Sequence, residues 1–415
     1  MDKPDVIVIG GGASGMMAAG QAARNGARVL LIEKNNRLGE KLLITGGGRC
    51  NVTNAELDTR KLLEKFDDAS DFLFSAFSQW NVENTLDFFH SHNMPTKVEN
   101  EKRVFPTSDK AESVWNVLLE FLKQGNVEIM SETEVRGFEI KDNRIAGVKV
   151  KGNKILEANS YILATGGLSR PETGSTGDGF KWLHEIGHNI TTPKASLVPI
   201  KVKDKWVKDL QGITLPEVKI SLFQNNKKQE SKKGKILFTH FGVTGPTILN
   251  MSNDIDELLK YGEVIIELDL LPQYDYGQLN LKLQEIFKEN SNKKIKNTLG
   301  EIILNSLVDI ILEKSEINPD TANHSITREE RIKLVQILKH IRMEATGLLG
   351  TDKAIITSGG VDLKEIDFKT MQSRIFPNLY IIGDLLNINR PSGGYSLQLC
   401  WTTGSVAGKH SAMRD

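Results

Sequence analysis

The sequence predicts an α/β protein whose parallel sheet is assembled from both ends of the chain and interrupted by an insert. Three observations carry that prediction. A short apolar run, glycines, an alanine-rich stretch and a second apolar run follow one another over residues 5–34. Prolines and polar alternation replace that texture near residue 190. "KAIITSGGV" and "NLYIIGDLL" restore apolar runs ending in glycine after residue 352.

Taken in order, "DVIVIG" is a continuous apolar run, as a parallel strand buried on both faces requires. "SGMMAAGQAARNG" is helical and closes at Gly26, and "ARVLLIEK" is the next strand, completing a βαβ unit. Residues 56–94 read as helical. Asp109 and Glu112 stand where a capped start of the helix "SVWNVLLEFLKQGN" is expected. "VEIM", "EVRGFEIK", "RIAGVKVK" and "KILEA" read as an antiparallel meander, the later strands joined by Asp142–Asn143 and Gly152–Asn153 turns. "SYILATGG" returns to a buried strand. The expected domains are 1–192 with 348–415, and an insert over 193–347 that is β-rich to 272 and helical from 273. "LGEIILNSLVDIILEK" and "REERIKLVQILKHI" are its expected helices.

Composition narrows the function. Lys plus Arg and Asp plus Glu both total 53, so zero net charge supplies no footprint for nucleic acid or an anionic membrane, although a local basic patch stays open. Two cysteines, Cys50 and Cys400, exclude a disulfide framework and a four-cysteine zinc site. No apolar stretch approaches the ~20 residues that span a bilayer, and Val6–Ile9 is too short for a signal peptide. A soluble cytoplasmic protein acting on a small molecule, with no nucleic acid or membrane partner, is the expectation.

Gly10, Gly12 and Gly15 match G-x-G-x-x-G between a strand and a helix, and Glu33 ends the next strand. Gly10 allows a tight turn, Gly12 lets the backbone approach a pyrophosphate, and Gly15 lets helix and strand pack closely. Helix-start N–H groups near Ala13 and Ser14 then face the phosphates, and Glu33 accepts from ribose hydroxyls. Asp384 follows Gly383 at the end of an apolar strand, where an acid can accept from ligand hydroxyls. "SGGYSLQ" precedes a helical segment whose N-terminus can face negative charge on a ligand. Dinucleotide binding alone does not choose between NAD and FAD.

The motifs "LGEKLLITGGGRCNVTN", "RVFPTSDKA", "ILATGG", "ILFTHFGVTGPTIL" and "LYIIGDLL…PSGGYSLQLCWTTG" run in one order through nearly the whole chain. In them the sequence resembles the YhiN/BaiN-like FAD-dependent oxidoreductases. The resemblance implies a glutathione-reductase-type FAD domain interrupted by a β-barrel-like part and a small helical part. It implies that residues 10–15, Glu33 and Lys34 hold the ADP half of FAD, and that Lys41, Thr45, Gly46, Gly48, Arg49, Cys50 and Asn51 line the flavin and pyrophosphate. Val135 would meet adenine, Ala164, Thr165 and Gly166 would pack near the pyrophosphate, Gly383 and Asp384 would serve the ribityl chain, and Gly394, Tyr395 and Gln398 would cover the pyrimidine side. It further implies an NAD(P)H-linked reductase of a small or polycyclic unsaturated substrate, with an amine or amino-ketone oxidase as the alternative. A tRNA-modifying flavoprotein and a structural FAD module are readings of other classes. No second G-x-G-x-x-G follows a strand, so NAD(P)H would bind transiently at the open flavin face.

Other candidates are weaker on residue grounds. "HEIGH" at 184–188 matches H-E-x-x-H, but Gly187 and "NITTPK" end the helix there, so no zinc is expected. His240, ending a strand of the insert, is a candidate proton donor. Arg342 and Arg390 are possible carboxylate anchors. Cys50 and Cys400 lack C-x₂₋₄-C spacing and read as packed thiols, not a redox pair.

Overall fold

The computed structural model describes residues 3–152 and 154–413. They form two units, the first running to Ser196 and resuming at Thr351, the second being Leu197–Gly350. In the first, five strands make a parallel sheet: β1 (Val6–Ile9), β2 (Val29–Ile32), β3 (Glu128–Met130), β4 (Ser160–Leu163) and β5 (Leu379–Ile381). Their order is β5-β4-β1-β2-β3, so the chain's two ends share one sheet. β1, β2 and β5 are buried throughout, which is why their sequences are apolar without alternation. Helix α1 (Ala13–Arg24) links β1 to β2, and helix α2 (Tyr395–Ser411) ends the unit.

The two helices pack unusually close. A Cβ on Gly404 would stand 2.6 Å from the carbonyl oxygen of Ser14, and one on Gly408 would overlap that of Ala18. Glycine at this four-residue spacing lets α2 lie on the α1 backbone. Gln398, fully buried on α2, ties it to two other segments. Its Oε1 accepts from Thr53 Oγ1 (2.6 Å). Its Nε2 donates to Thr85 Oγ1 (3.0 Å) and to the Asn81 carbonyl (3.2 Å).

Three local expectations are corrected. "VEIM" does not join the meander: β3 pairs in parallel with β2, and the meander is Val135–Lys141, Arg144–Val150 and Lys154–Leu156. Asp142 and Asn143 form its left-handed turn (φ 50° and 55°), while Asn153 of the second expected turn lies outside the described residues. Asp109 does not cap Ala111–Gln124; its carboxylate accepts from Arg49 and Lys97 instead. "LGEIILNSLVDIILEK" is helical only over Asn305–Ser315, because a short turn at Leu299–Glu301 and an extended Leu304 precede it.

The second unit holds a closed six-stranded barrel. Around it run Ile200–Val202, Gly242–Thr244, Lys227–Thr239, Thr214–Gln224, Val264–Asp269 and Ile341–Leu348. Tyr276–Glu289, Asn305–Ser315 and Arg328–Lys339 are its longer helices. The last barrel strand falls where helix was expected. Ile341, Met343 and Ala345 are buried and alternate with less buried neighbours, a period of two.

Gln398→Leu is expected to remove the close acceptor of the buried Thr53 hydroxyl, costing ~1–3 kcal/mol. Thermal unfolding should then begin at least about 2 °C lower; an unchanged melting temperature would show that this hub carries no stability.

Candidate functional site

Each glycine of the first turn has a different neighbour. Gly10 has φ +102°, and a Cβ there would lie 2.5 Å from the Ala164 carbonyl oxygen. A Cβ on Gly15 would overlap the carbonyl oxygen of Gly10. Gly12 has nothing within 4 Å of its Cβ position, so it opens on free space. Gly10 and Gly15 thus close β1, α1 and the end of β4 on one another, while Gly12 leaves room for a ligand. Glu33, at the end of β2, braces the turn by accepting from the N–H groups of Gly11 (2.7 Å) and Asn35 (2.9 Å).

That free space belongs to an open cleft within the first unit. Gly10, Gly12, Ala13, Ser14, Glu33 and Lys34 line it, as do Lys41, Thr45, Val135, Ala164, Thr165, Gly166 and Asp384. Two helices begin on it. Neither α1 nor α2 has a side-chain cap or an acidic residue in its first turn. Their opening N–H groups and the positive ends of their dipoles therefore remain available to an anion or an electron-rich ring.

Charge is placed with equal economy. Asp384 sits between Lys41 Nζ (3.3 Å) and the buried guanidinium of Arg390. Burial acts to raise its carboxyl, but the charges and hydrogen bonds of Arg390 and Lys41 outweigh that and hold it below the ordinary value. Lys41 also donates to Ser169 Oγ (2.6 Å). Within this trio two cations stand against one carboxylate. Arg390 Nε donates to Ser396 Oγ (3.1 Å) in the first turn of α2, fixing that helix start; it is no free carboxylate anchor. On the cleft's other wall Lys34 pairs with Asp178 (2.9 Å).

The remaining candidates do not line the cleft. Gly46, Gly47 and Gly48 are exposed and left-handed (φ 57°, 68° and 86°). Arg49 turns to Glu99 (2.5 Å) and Asp109 (2.5 Å) and lies 4.1 Å over the Phe105 ring. Asn51 keeps a buried Oδ1 without a hydrogen-bond partner among the described residues. Gly383 has its Cβ position 2.8 Å from Ser14 Oγ, and Gly394 (φ +101°) rests against the Thr53 backbone. Tyr395 packs edge-on to Phe66, and Gln398 is the buried hub already described.

The two thiols differ in place but not in state. Cys50 is fully buried with φ +61°, and burial pushes its thiol up to about 12 against a hydrogen bond from Thr45. Cys400 lines the cleft, and burial, with the Asp384 charge, pushes it to about 12 as well. Neither is a thiolate at neutral pH. "HEIGH" is no helical pair: the helix Asp178–Glu185 ends before Gly187 (φ +99°), and His188 bonds Glu365 Oε2 (2.7 Å) and Ser373 Oγ (3.0 Å). His240 is exposed on the second unit, edge-on to Phe241, and Arg342 there pairs with Glu267 (2.7 Å).

Ser396 and Leu397, within the 394–398 segment that the resemblance implies for the pyrimidine side, line the cleft together with Cys400. Their signal is the helix start itself: once α2 begins at Tyr395, its first turns must face the cleft.

The donor set fits FAD. The space beside Gly12 and the α1 N-terminus would take the pyrophosphate, Glu33 the ribose, and the α2 N-terminus with Asp384 the flavin half. Thr165 Oγ1, in the cleft wall, is buried without a partner among the described residues.

Comparison with known proteins agrees. The family model described as HI0933-like protein Rossmann domain matches residues 4–410. The chain is 30% identical to the ribosomal RNA dihydrouridine synthase of Escherichia coli (strain K12), over 97% of this chain and 96% of that protein. It is 28% identical to the 3-dehydro-bile acid delta(4,6)-reductase of Clostridium scindens, over 98% of each. Among solved structures, 3-ketosteroid delta1-dehydrogenase from Sterolibacterium denitrificans superimposes with a TM-score of 0.55 at 14% identity, covering 99% of this chain and 100% of that one. That likeness shows the fold. The chain belongs to the HI0933-like Rossmann family, and it is an FAD-dependent oxidoreductase.

Gly12→Ala should fold like the wild type yet bind FAD at least about tenfold more weakly, since its Cβ enters the cleft. Gly15→Ala should lose ~1–3 kcal/mol of stability through overpacking. Flavin titration and thermal melts on both separate the roles; equal effects on both readouts would contradict them. Iodoacetamide at pH 7.5 should label neither cysteine until the protein is unfolded, with rapid native labelling of Cys50 or Cys400 as the contrary result.

Proposed function

We propose that this flavoprotein reduces a carbon–carbon double bond conjugated to a carbonyl, using NAD(P)H as donor. The observation that carries the reading is the cleft on which two uncapped helix N-termini open beside the Lys41–Asp384–Arg390 cluster. Two relatives covering nearly the whole chain support it. The names dihydrouridine synthase and delta(4,6)-reductase both describe saturation of such a bond.

Bound FAD supplies hydride exchange at N5. The chain contributes binding, charge and exclusion of water. The N–H groups opening α1 compensate phosphate charge. Those opening α2 favour negative charge on the ring they face. Asp384, kept ionised by its two cations, accepts from hydroxyls and cannot supply a proton at neutral pH. Both cleft-side and buried thiols are protonated and leave no thiol redox step. A proton for the substrate therefore comes from elsewhere, and His240 on the second unit is the proposed donor.

The carrier of the double bond is a small or polycyclic molecule in the first reading. A second reading, a uracil within RNA, is favoured by the lysine-rich segment 201–235 and by the ribosomal RNA relative.

Anaerobic NADH or NADPH is expected to bleach the bound flavin, and an enone substrate to restore its colour without oxygen. Rapid turnover of an amine in air with hydrogen peroxide, and no bleaching by either nucleotide, would replace the reductase by an oxidase. His240→Asn should lower turnover while leaving FAD content and bleaching intact.

A further inference from the structure

The zero net charge is a sum over unlike segments. Between residues 201 and 235 ten lysines face four carboxylates, an excess of six positive charges. Half of those lysines lie on one strand, Lys227–Thr239, as Lys227, Lys228, Lys232, Lys233 and Lys235.

The hairpin that carries them is paired to the barrel on one side as far as Phe223 and open on the other. Asn225 and Asn226, both left-handed (φ 50° and 56°), make the tight two-residue turn that joins Thr214–Gln224 to Lys227–Thr239. On its other side the second strand meets Gly242–Thr244 only through residues 237–239. Over residues 227–233 its outer edge is therefore not paired to a strand. Lys227, Lys228, Lys233 and Lys235 are exposed. Among the described residues, Lys232 alone of the five has a carboxylate within 4 Å, Glu230 at 2.6 Å.

Lysines do protect open strand edges from pairing with other chains. Edge protection does not account for Lys219 standing directly across the ladder from Lys233, a like-charge pair that costs stability. The neighbouring exposed side chains are amides, Asn225, Asn226 and Gln229. They donate hydrogen bonds to phosphate and sugar oxygens and offer nothing to insert into lipid.

We propose that this hairpin binds the phosphate backbone of RNA. The inference stands on the charge pattern of Leu197–Gly350 alone. Binding is read without turnover, so it and the proposed reaction fail separately.

The test uses the FAD-loaded full chain and a fluorescein-labelled RNA hairpin of about thirty nucleotides, titrated between 50 and 200 mM salt. Wild type is expected to bind with an affinity that falls steeply with salt. Lys227→Glu/Lys228→Glu/Lys233→Glu should bind at least about tenfold more weakly, with a salt slope smaller by about 3. The matching Lys→Arg triple should bind like wild type. Unchanged flavin content and melting temperature confirm that the variants are folded. Equal RNA binding by wild type and the Glu triple would overturn the proposal and leave edge protection as the role. So would binding to phosphatidylglycerol vesicles with none to RNA.

Discussion

Everything at the candidate site depends on how closely the last helix lies against the first. Gly404 and Gly408 remove the side chains that would hold α2 away from the carbonyls of Ser14 and Ala18. With the two helices in contact, both N-termini open on one cleft, although some 380 residues separate them in sequence. Their half-charges add where a dinucleotide's phosphates and ring would sit. A bulky residue at either glycine would separate the helices, and no change in the cleft lining could restore the arrangement.

The charged residues extend the same arrangement. Arg390 bonds the first turn of α2 through Ser396 and Asp384 through its guanidinium, so helix start and carboxylate are held by one buried side chain. Lys41 completes the set from the other side. In a partly dry cleft such fixed charges act more strongly than in water. The thiols contribute the opposite property: both are kept protonated, so the site's redox chemistry belongs to the cofactor.

Much of this was legible in the sequence because it is local. The apolar runs, the G-x-G-x-x-G turn and Glu33 are separated by fewer than thirty residues, and their spacing implies their geometry. Asp384 was legible for the same reason, as an acid directly after a strand and glycine. What escaped was long-range. Asp109 looked like a helix cap until Arg49, 60 residues earlier, claimed its carboxylate. "VEIM" looked like part of the meander because its edge position in the parallel sheet, beside β2, leaves it exposed and short. Arg390 read as a possible anchor for a ligand carboxylate, whereas Asp384, six residues earlier, takes up its guanidinium and it is buried. The last barrel strand was hidden by the helices before it, its period of two being brief.

The central claim is that FAD lies across the turn at Gly12, between Glu33 and the start of α2. A crystal structure of the chain grown with FAD tests it most directly. The account predicts pyrophosphate oxygens within hydrogen-bonding distance of the Ala13 and Ser14 N–H groups, with the flavin ring against Leu397. Density for the nucleotide outside this cleft, or a pyrophosphate remote from α1, would contradict it.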